Sequence, residues 1–251
     1  MSGLRAGWRL LHALWQALAG LATILVLFPR LDETARQDRV QAWSQRMLDV
    51  LGVGLELRGS PPAHGPMLLV ANHISWLDIL VLHAARHCRF VSKSEVRHWP
   101  LLGRLATGAG TLYIERHSRR DALRVVHQMA ASLRQGEILA VFPEGTTSNG
   151  IALLPFHANL IQAAVSADAP AQPVALQFID TRTGRPSLTP CYIDDDTLVG
   201  SLWRTLSGPP ITAVASFGQP QRVEGRDRRT WAADLRRAVQ DLRAPAGDAG
   251  A

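Results

Sequence analysis

Met67-Leu68-Leu69-Val70-Ala71-Asn72-His73-Ile74-Ser75-Trp76-Leu77-Asp78-Ile79-Leu80-Val81-Leu82 is the stretch on which the fold turns. An unbroken short apolar run reads as a strand buried on both faces, and Ser75 with Asp78 three places on reads as a capping box opening a helix. Strand, polar turn and helix follow one another, and the alternation recurs on both sides. Strands are expected near 53–58, 66–71, 88–92, 111–115, 137–142, 173–179 and 211–217, on runs such as Ile138-Leu139-Ala140-Val141-Phe142. Helices are expected near 76–86, 119–134, 157–167, 197–206 and 229–243. This spacing predicts an α/β fold, a single mixed sheet covered by helices, with no linker dividing residues 53–243.

Ligands of open α/β sheets collect at the carboxyl ends of strands, so the residues that follow each strand carry the chemistry. Three expected strands end in polar clusters: Asn72-His73, Glu115-Arg116, and Pro143-Glu144-Gly145-Thr146-Thr147. Were these strands parallel neighbours, a histidine, an arginine and a glutamate beside a glycine turn would share one rim. Two readings of His73 and Asp78 stand open at this point. In one, Asp78 only caps the helix and His73 decorates a loop. In the other, the carboxylate points back at the imidazole, fixes its tautomer and supports its protonated form, giving a general base with its orienter.

Other chemistries fail on spacing. Gly145-Thr-Thr-Ser148-Asn-Gly150 is one residue too long for the G-x-S-x-G nucleophile elbow. His83 and His87 stand four apart without the glutamate of a metalloprotease helix, and no metal site is expected. No phosphate-cradling glycine loop and no nucleic-acid module can be found; Gly103 and Gly108-Ala-Gly110 read as flanks of an apolar turn.

Of the 251 residues, 47% are apolar and 19% charged, which excludes a disordered or fibrous chain. The 27 basic residues outnumber the 21 acidic ones by 6, and Lys93 is the single lysine. Residues 1–52 read as a membrane-associating pair of helices. Leu10 to Phe28 holds no formal charge apart from His12 and would run about 28 Å as a helix, enough to span or to lie in a bilayer. Val40, Trp43, Met47, Leu48 and Leu51 then recur at helical spacing, either as a second amphipathic membrane helix or as an ordinary core-facing one. The tail 244–251 is expected to be disordered. Cys88 and Cys191, far apart, suit a reducing compartment, and the expected location is the membrane surface with the catalytic domain on the cytoplasmic side.

Taken together, Asn72-His73-x4-Asp78, Gly110-Thr111-Leu112-Tyr113-Ile114-Glu115-Arg116, Phe142-Pro143-Glu144-Gly145-Thr146 and Pro173-Val174-Ala175 resemble the four ordered motifs of the glycerolipid acyltransferase family, which contains the 1-acylglycerol-3-phosphate acyltransferases. The likeness covers roughly residues 66–179, and residues 1–52 resemble that family's two-helix membrane anchor. It implies transfer of a fatty acyl group from an acyl-CoA or acyl-carrier-protein thioester, a co-substrate and no bound cofactor, to the hydroxyl of a lysolipid at a membrane surface. His73 would be the base, Asp78 its partner, Arg116 the ligand of the acceptor's phosphate, and the Glu144-Gly145 turn its positioner. Asn72, Glu115, Thr146 and Thr147 complete the expected substrate-binding set, and backbone N–H groups around Gly145 and Thr146 are the expected oxyanion donors. Thr147 stands where the family usually has arginine, and His157 where a lysine often follows Pro-Phe. The expected acceptor is 1-acyl-sn-glycerol-3-phosphate, giving phosphatidic acid, and the alternative is lyso-ornithine lipid. From other classes, the alternatives are a membrane-binding protein with an inactive site, or a lipid hydrolase.

Overall fold

The computed structural model describes residues 2–115 and 119–244. Seven strands, β1 (Val53–Arg58), β2 (Met67–Ala71), β3 (Arg89–Lys93), β4 (Leu112–Ile114), β5 (Ile138–Val141), β6 (Ala171–Asp180) and β7 (Ile211–Phe217), form one sheet in the order β1-β7-β6-β2-β5-β3-β4. β2 to β6 run parallel to one another. β7 is antiparallel to β6, and β1 is parallel to β7, so the sheet is mixed. The helices are α1 (Ser2–Val26), α2 (Glu33–Leu51), α3 (Leu77–Ala85), α4 (Leu102–Gly108), α5 (Arg119–Arg134), α6 (Gln162–Ala167), α7 (Leu198–Ser207) and α8 (Arg228–Leu242).

All five residues of β2 are buried and alternate between two cores. Met67, Leu69 and Ala71 join α2, α3 and Leu206 of α7 on one face. Leu68 and Val70 join α5, α6 and α8 on the other, around the wholly buried Trp231. Burial on both faces is why this strand reads as a continuous apolar run and not as an alternating one.

Two expected elements differ. The helix expected from 157 begins only at Gln162, because the His157 amide donates to the Pro143 carbonyl at 2.8 Å and holds the preceding chain in the open. The apolar turn expected around Gly103 and Gly108 is instead α4, packed between the body and α1. A side chain at Gly103 would meet the Arg97 carbonyl at 2.3 Å, and one at Gly108 would meet Ile24 of α1 at 2.5 Å. Of the expected tail, only Ala244 lies among the described residues.

α2 is core-facing. Asp32 caps it through the Ala35 amide at 2.8 Å, Gly52 at φ 72° ends it, and Met47, Leu48 and Leu51 are buried against the sheet and α3. α1 has the reverse distribution of size. Ala6, Ala13, Ala17 and Gly20 face the body, and Trp43 of α2 sits over Gly20 with its indole N–H on the Gln16 carbonyl at 2.8 Å. Its large residues, Trp8, Leu11 and Trp15 among them, face outward.

Candidate active site

At the end of β2 the chain stops being sheet because Asn72 turns its amide inward. The side chain, 1% exposed, donates to the Leu176 carbonyl at 3.0 Å and accepts from the Leu176 amide at 2.7 Å, joining β2 to β6. The next residue, His73, is thereby aimed out of the sheet at the rim. Asp78, wholly buried at the start of α3, points back at it. One carboxylate oxygen, Oδ2, accepts from His73 Nδ1 at 2.8 Å, from the Ile74 amide at 2.6 Å and from the Ser75 amide at 2.9 Å. Ser75 Oγ accepts from the Leu77 amide at 3.3 Å, one residue earlier than a capping box would have it. Asp78 thus closes the turn and holds the imidazole with the same atom. Because a carboxylate oxygen only accepts, Nδ1 carries the proton and Nε2 is left with its lone pair, the form a base requires.

Phe142, at the end of the neighbouring β5, lies flat against the His73 ring, with centroids 4.0 Å apart and 7° between planes. Glu144, 3% exposed, accepts from the His73 amide at 2.8 Å with Oε1 and from the Leu154 amide at 3.0 Å with Oε2. Burial pushes its carboxyl above the usual range, and those two amides pull it part of the way back. With both oxygens taken, Glu144 ties the histidine turn to the loop beyond Gly145. Gly145 itself has φ 73°, open to glycine, and its Cα faces the His157 ring. Its N–H is committed to the Phe142 carbonyl at 3.1 Å, which corrects the expectation that it is free for an oxyanion; the Thr146 amide has no acceptor among the described residues. Thr146 is exposed, whereas the Thr147 hydroxyl donates to the Tyr192 carbonyl.

The residues that hold this loop lie mostly after 180, where the sequence offered no motif. The Tyr192 amide donates to the Ile74 carbonyl at 3.1 Å, and Arg204 of α7 reaches the Thr189 and Cys191 carbonyls and Asp196. From α8, Arg236 donates to the Leu153 and Leu154 carbonyls. Such guanidinium contacts leave little trace in a sequence pattern, because all of their partners but Asp196 are backbone oxygens.

The third polar cluster is further off than a shared rim of neighbours would put it. β4 runs parallel, yet β5 and β3 stand between it and β2, so at about 4.8 Å per strand its end lies about 14 Å along the rim. Glu115 is exposed there, and Arg116 lies outside the described residues. Lys93, the last residue of β3, fills the interval and has no carboxylate partner among the described residues. Its uniqueness in the composition was the one signal that could have marked it.

A family model described as Acyltransferase matches residues 54–177. A lyso-ornithine lipid O-acyltransferase of Pseudomonas aeruginosa is 38% identical over 231 residues, covering 92% of this chain and 88% of that protein. A 1-acyl-sn-glycerol-3-phosphate acyltransferase of Neisseria gonorrhoeae is 38% identical over 184 residues, 73% of this chain and 71% of that one. In fold, the chain matches the crystal structure of the 1-acyl-sn-glycerophosphate (LPA) acyltransferase, PlsC, from Thermotoga maritima, with a TM-score of 0.64 at 21% identity over 98% of this chain and 99% of that one. Family model, sheet and relatives matched over 73–92% of this chain agree, and the chain belongs to the acyltransferase family.

Proposed function

We propose that this enzyme moves a fatty acyl group from an acyl-CoA or acyl-carrier-protein thioester to the free hydroxyl of a lysolipid, with His73 as general base and Asp78 as its orienter. The observation that carries the reading is the single Asp78 oxygen that binds Nδ1 of His73 and leaves Nε2 open at the rim. Nε2 takes the hydroxyl proton as the acceptor oxygen attacks the thioester carbonyl. The tetrahedral intermediate then expels the thiolate, which recovers that proton from the imidazolium. A thioester is already activated, so the chain needs no nucleophile of its own. Phe142 holds the ring plane, and the Thr146 amide, which has no acceptor among the described residues, is the proposed donor for the oxyanion.

For the acceptor we favour 1-acyl-sn-glycerol-3-phosphate, because Lys93, at the end of β3 and without a carboxylate partner among the described residues, stands on the rim beside β5, and because the family resemblance gives Arg116 to the acceptor's phosphate. A second reading, lyso-ornithine lipid, is favoured by Thr147, whose hydroxyl is spent on Tyr192, and by the relative that spans most of this chain. A labelled acyl donor offered to purified enzyme with a panel of lysolipids decides between them. Turnover of lyso-ornithine lipid alone would reverse the preference, and thioester loss without any acylated acceptor would replace transferase by hydrolase.

Access to such acceptors places α1 at a membrane. Within Gly3–Arg30, an 18-residue window reaches a mean hydropathy of 1.9 and is only 17% buried. The packing of its small-residue face on the body supports a reading in which α1 lies in one leaflet and does not cross, and the cytoplasmic side is proposed with it.

A further inference from the structure

α1 does not meet the membrane alone. It packs against α7 and α4, and each brings large apolar side chains to the surface. On α7, Ser201 and Thr205 are buried, and the opposite face carries Val199 at 76% exposure and Trp203 at 45%. Ahead of α4, Trp99 and Leu102 are about two-fifths exposed. Among the described residues these four keep two-fifths or more of their surface in the open, and tryptophan is the side chain that sits best at the boundary of head groups and acyl chains. Charge fits the same partner. The one charged residue of α7, Arg204, is turned away and bound by Asp196 and two carbonyls, so the outward face of that helix is neutral. The exposed Asp194 and Asp195, before its N-terminus, mark the level at which the surface returns to water.

Building on the lysolipid acceptor proposed above, we infer that α7 and the Trp99–Leu102 corner enter the same leaflet as α1, so the lipid contact is a platform assembled from three distant parts of the chain. The consequence is positional. The Trp76 indole N–H, one residue before α3, donates to Ser201 Oγ of α7 at 3.2 Å, and the Tyr192 amide bonds the Ile74 carbonyl. A leaflet that holds α7 therefore fixes the height of His73, three residues before Trp76, against the lipid surface.

The test uses the full chain, whose two cysteines, Cys88 and Cys191, are buried and leave the surface free for labelling. Single substitutions Val199→Cys, Leu11→Cys and Leu123→Cys carry an environment-sensitive bimane. Leu123, 62% exposed on α5 across the sheet, is the apolar control. On phosphatidylglycerol and phosphatidylethanolamine vesicles with brominated acyl chains, probes at 199 and 11 are expected to be quenched and the probe at 123 to stay bright. Trp203→Glu is expected to weaken vesicle binding at least fivefold while leaving turnover in detergent micelles unchanged. Quenching at 11 without quenching at 199 overturns the three-part platform and keeps α1 as the anchor. Quenching at neither removes both, and equal quenching at 123 shows adsorption without a defined face and overturns the platform as well.

Discussion

Oδ2 of Asp78 has three donors and Oδ1 has none, although both are buried. In Asp78→Asn the amide oxygen keeps the three bonds at Oδ2, and the new NH2 takes the place where nothing accepts. The turn therefore survives while the charge that supports an imidazolium is lost. Turnover is expected to fall roughly tenfold or more, the buried NH2 without an acceptor costing about 1–3 kcal/mol of stability, and unchanged turnover would leave Asp78 a helix cap alone. His73→Ala removes the proposed base, with an expected loss of about 10²–10⁴ in kcat and no loss of fold, measured by steady-state kinetics beside circular dichroism. Asn72 and Glu144 belong to a different kind of residue. Sequence expectation set them against substrate, and their side chains are spent on backbone, so each acts through the position of His73. Glu144→Gln can accept only one of its two amides and leaves a buried donor open, at a cost of about 1–3 kcal/mol by urea unfolding, with turnover falling in parallel.

Helices α1 and α2 follow one another in sequence and divide the roles that the first 52 residues were expected to share. Leu48 of α2 is 1% exposed in the core, so Leu48→Ala is expected to lower unfolding free energy by about 2–5 kcal/mol. Leu11 of α1 is 63% exposed, and Leu11→Ala should leave stability within about 0.5 kcal/mol of the parent. The same change should weaken vesicle partition about tenfold, because the lost apolar area is area that lipid would otherwise cover. Sedimentation with vesicles and urea titration, run on both variants, separate the two roles; equal effects of both on stability would mean that α1 is core. Periodicity marked α2 as amphipathic and α1 as apolar, but it could not say which apolar surface meets protein. That depended on Ala6, Ala13, Ala17 and Gly20, small residues that let α1 lie close and turn its bulk outward.

Across the molecule as a whole, acid sensitivity should follow the layer between α3 and β3. Burial, with the His87 charge adding to it, pulls His83 down to about 3, and burial also lowers His87. Between the folded value and the ordinary histidine value near 6.5, the unfolded chain binds more protons, so stability rises with pH there and is lost as pH falls. Each group contributes about 1.4 kcal/mol per pH unit inside its own window. Urea midpoints from pH 7 to pH 4 should therefore fall, and His83→Leu should flatten that slope by one proton's worth; an unchanged slope would move the effect elsewhere. The sequence by itself determined the alternation of strands and helices, the polar strand ends and the nearness of His73 to Asp78, because these depend on local periodicity and on residues within one turn; that the two bond and Asp78 is more than a cap came from the structure. Only the tertiary structure decided that β5 and not β4 neighbours β2, that Lys93 stands on the rim, and that arginines of α7 and α8 hold the loops packed beside His73 and Glu144. Strand order and side-chain contacts to backbone join residues far apart in the chain, and the free energy that selects them comes from packing both sheet faces at once, which no local pattern records.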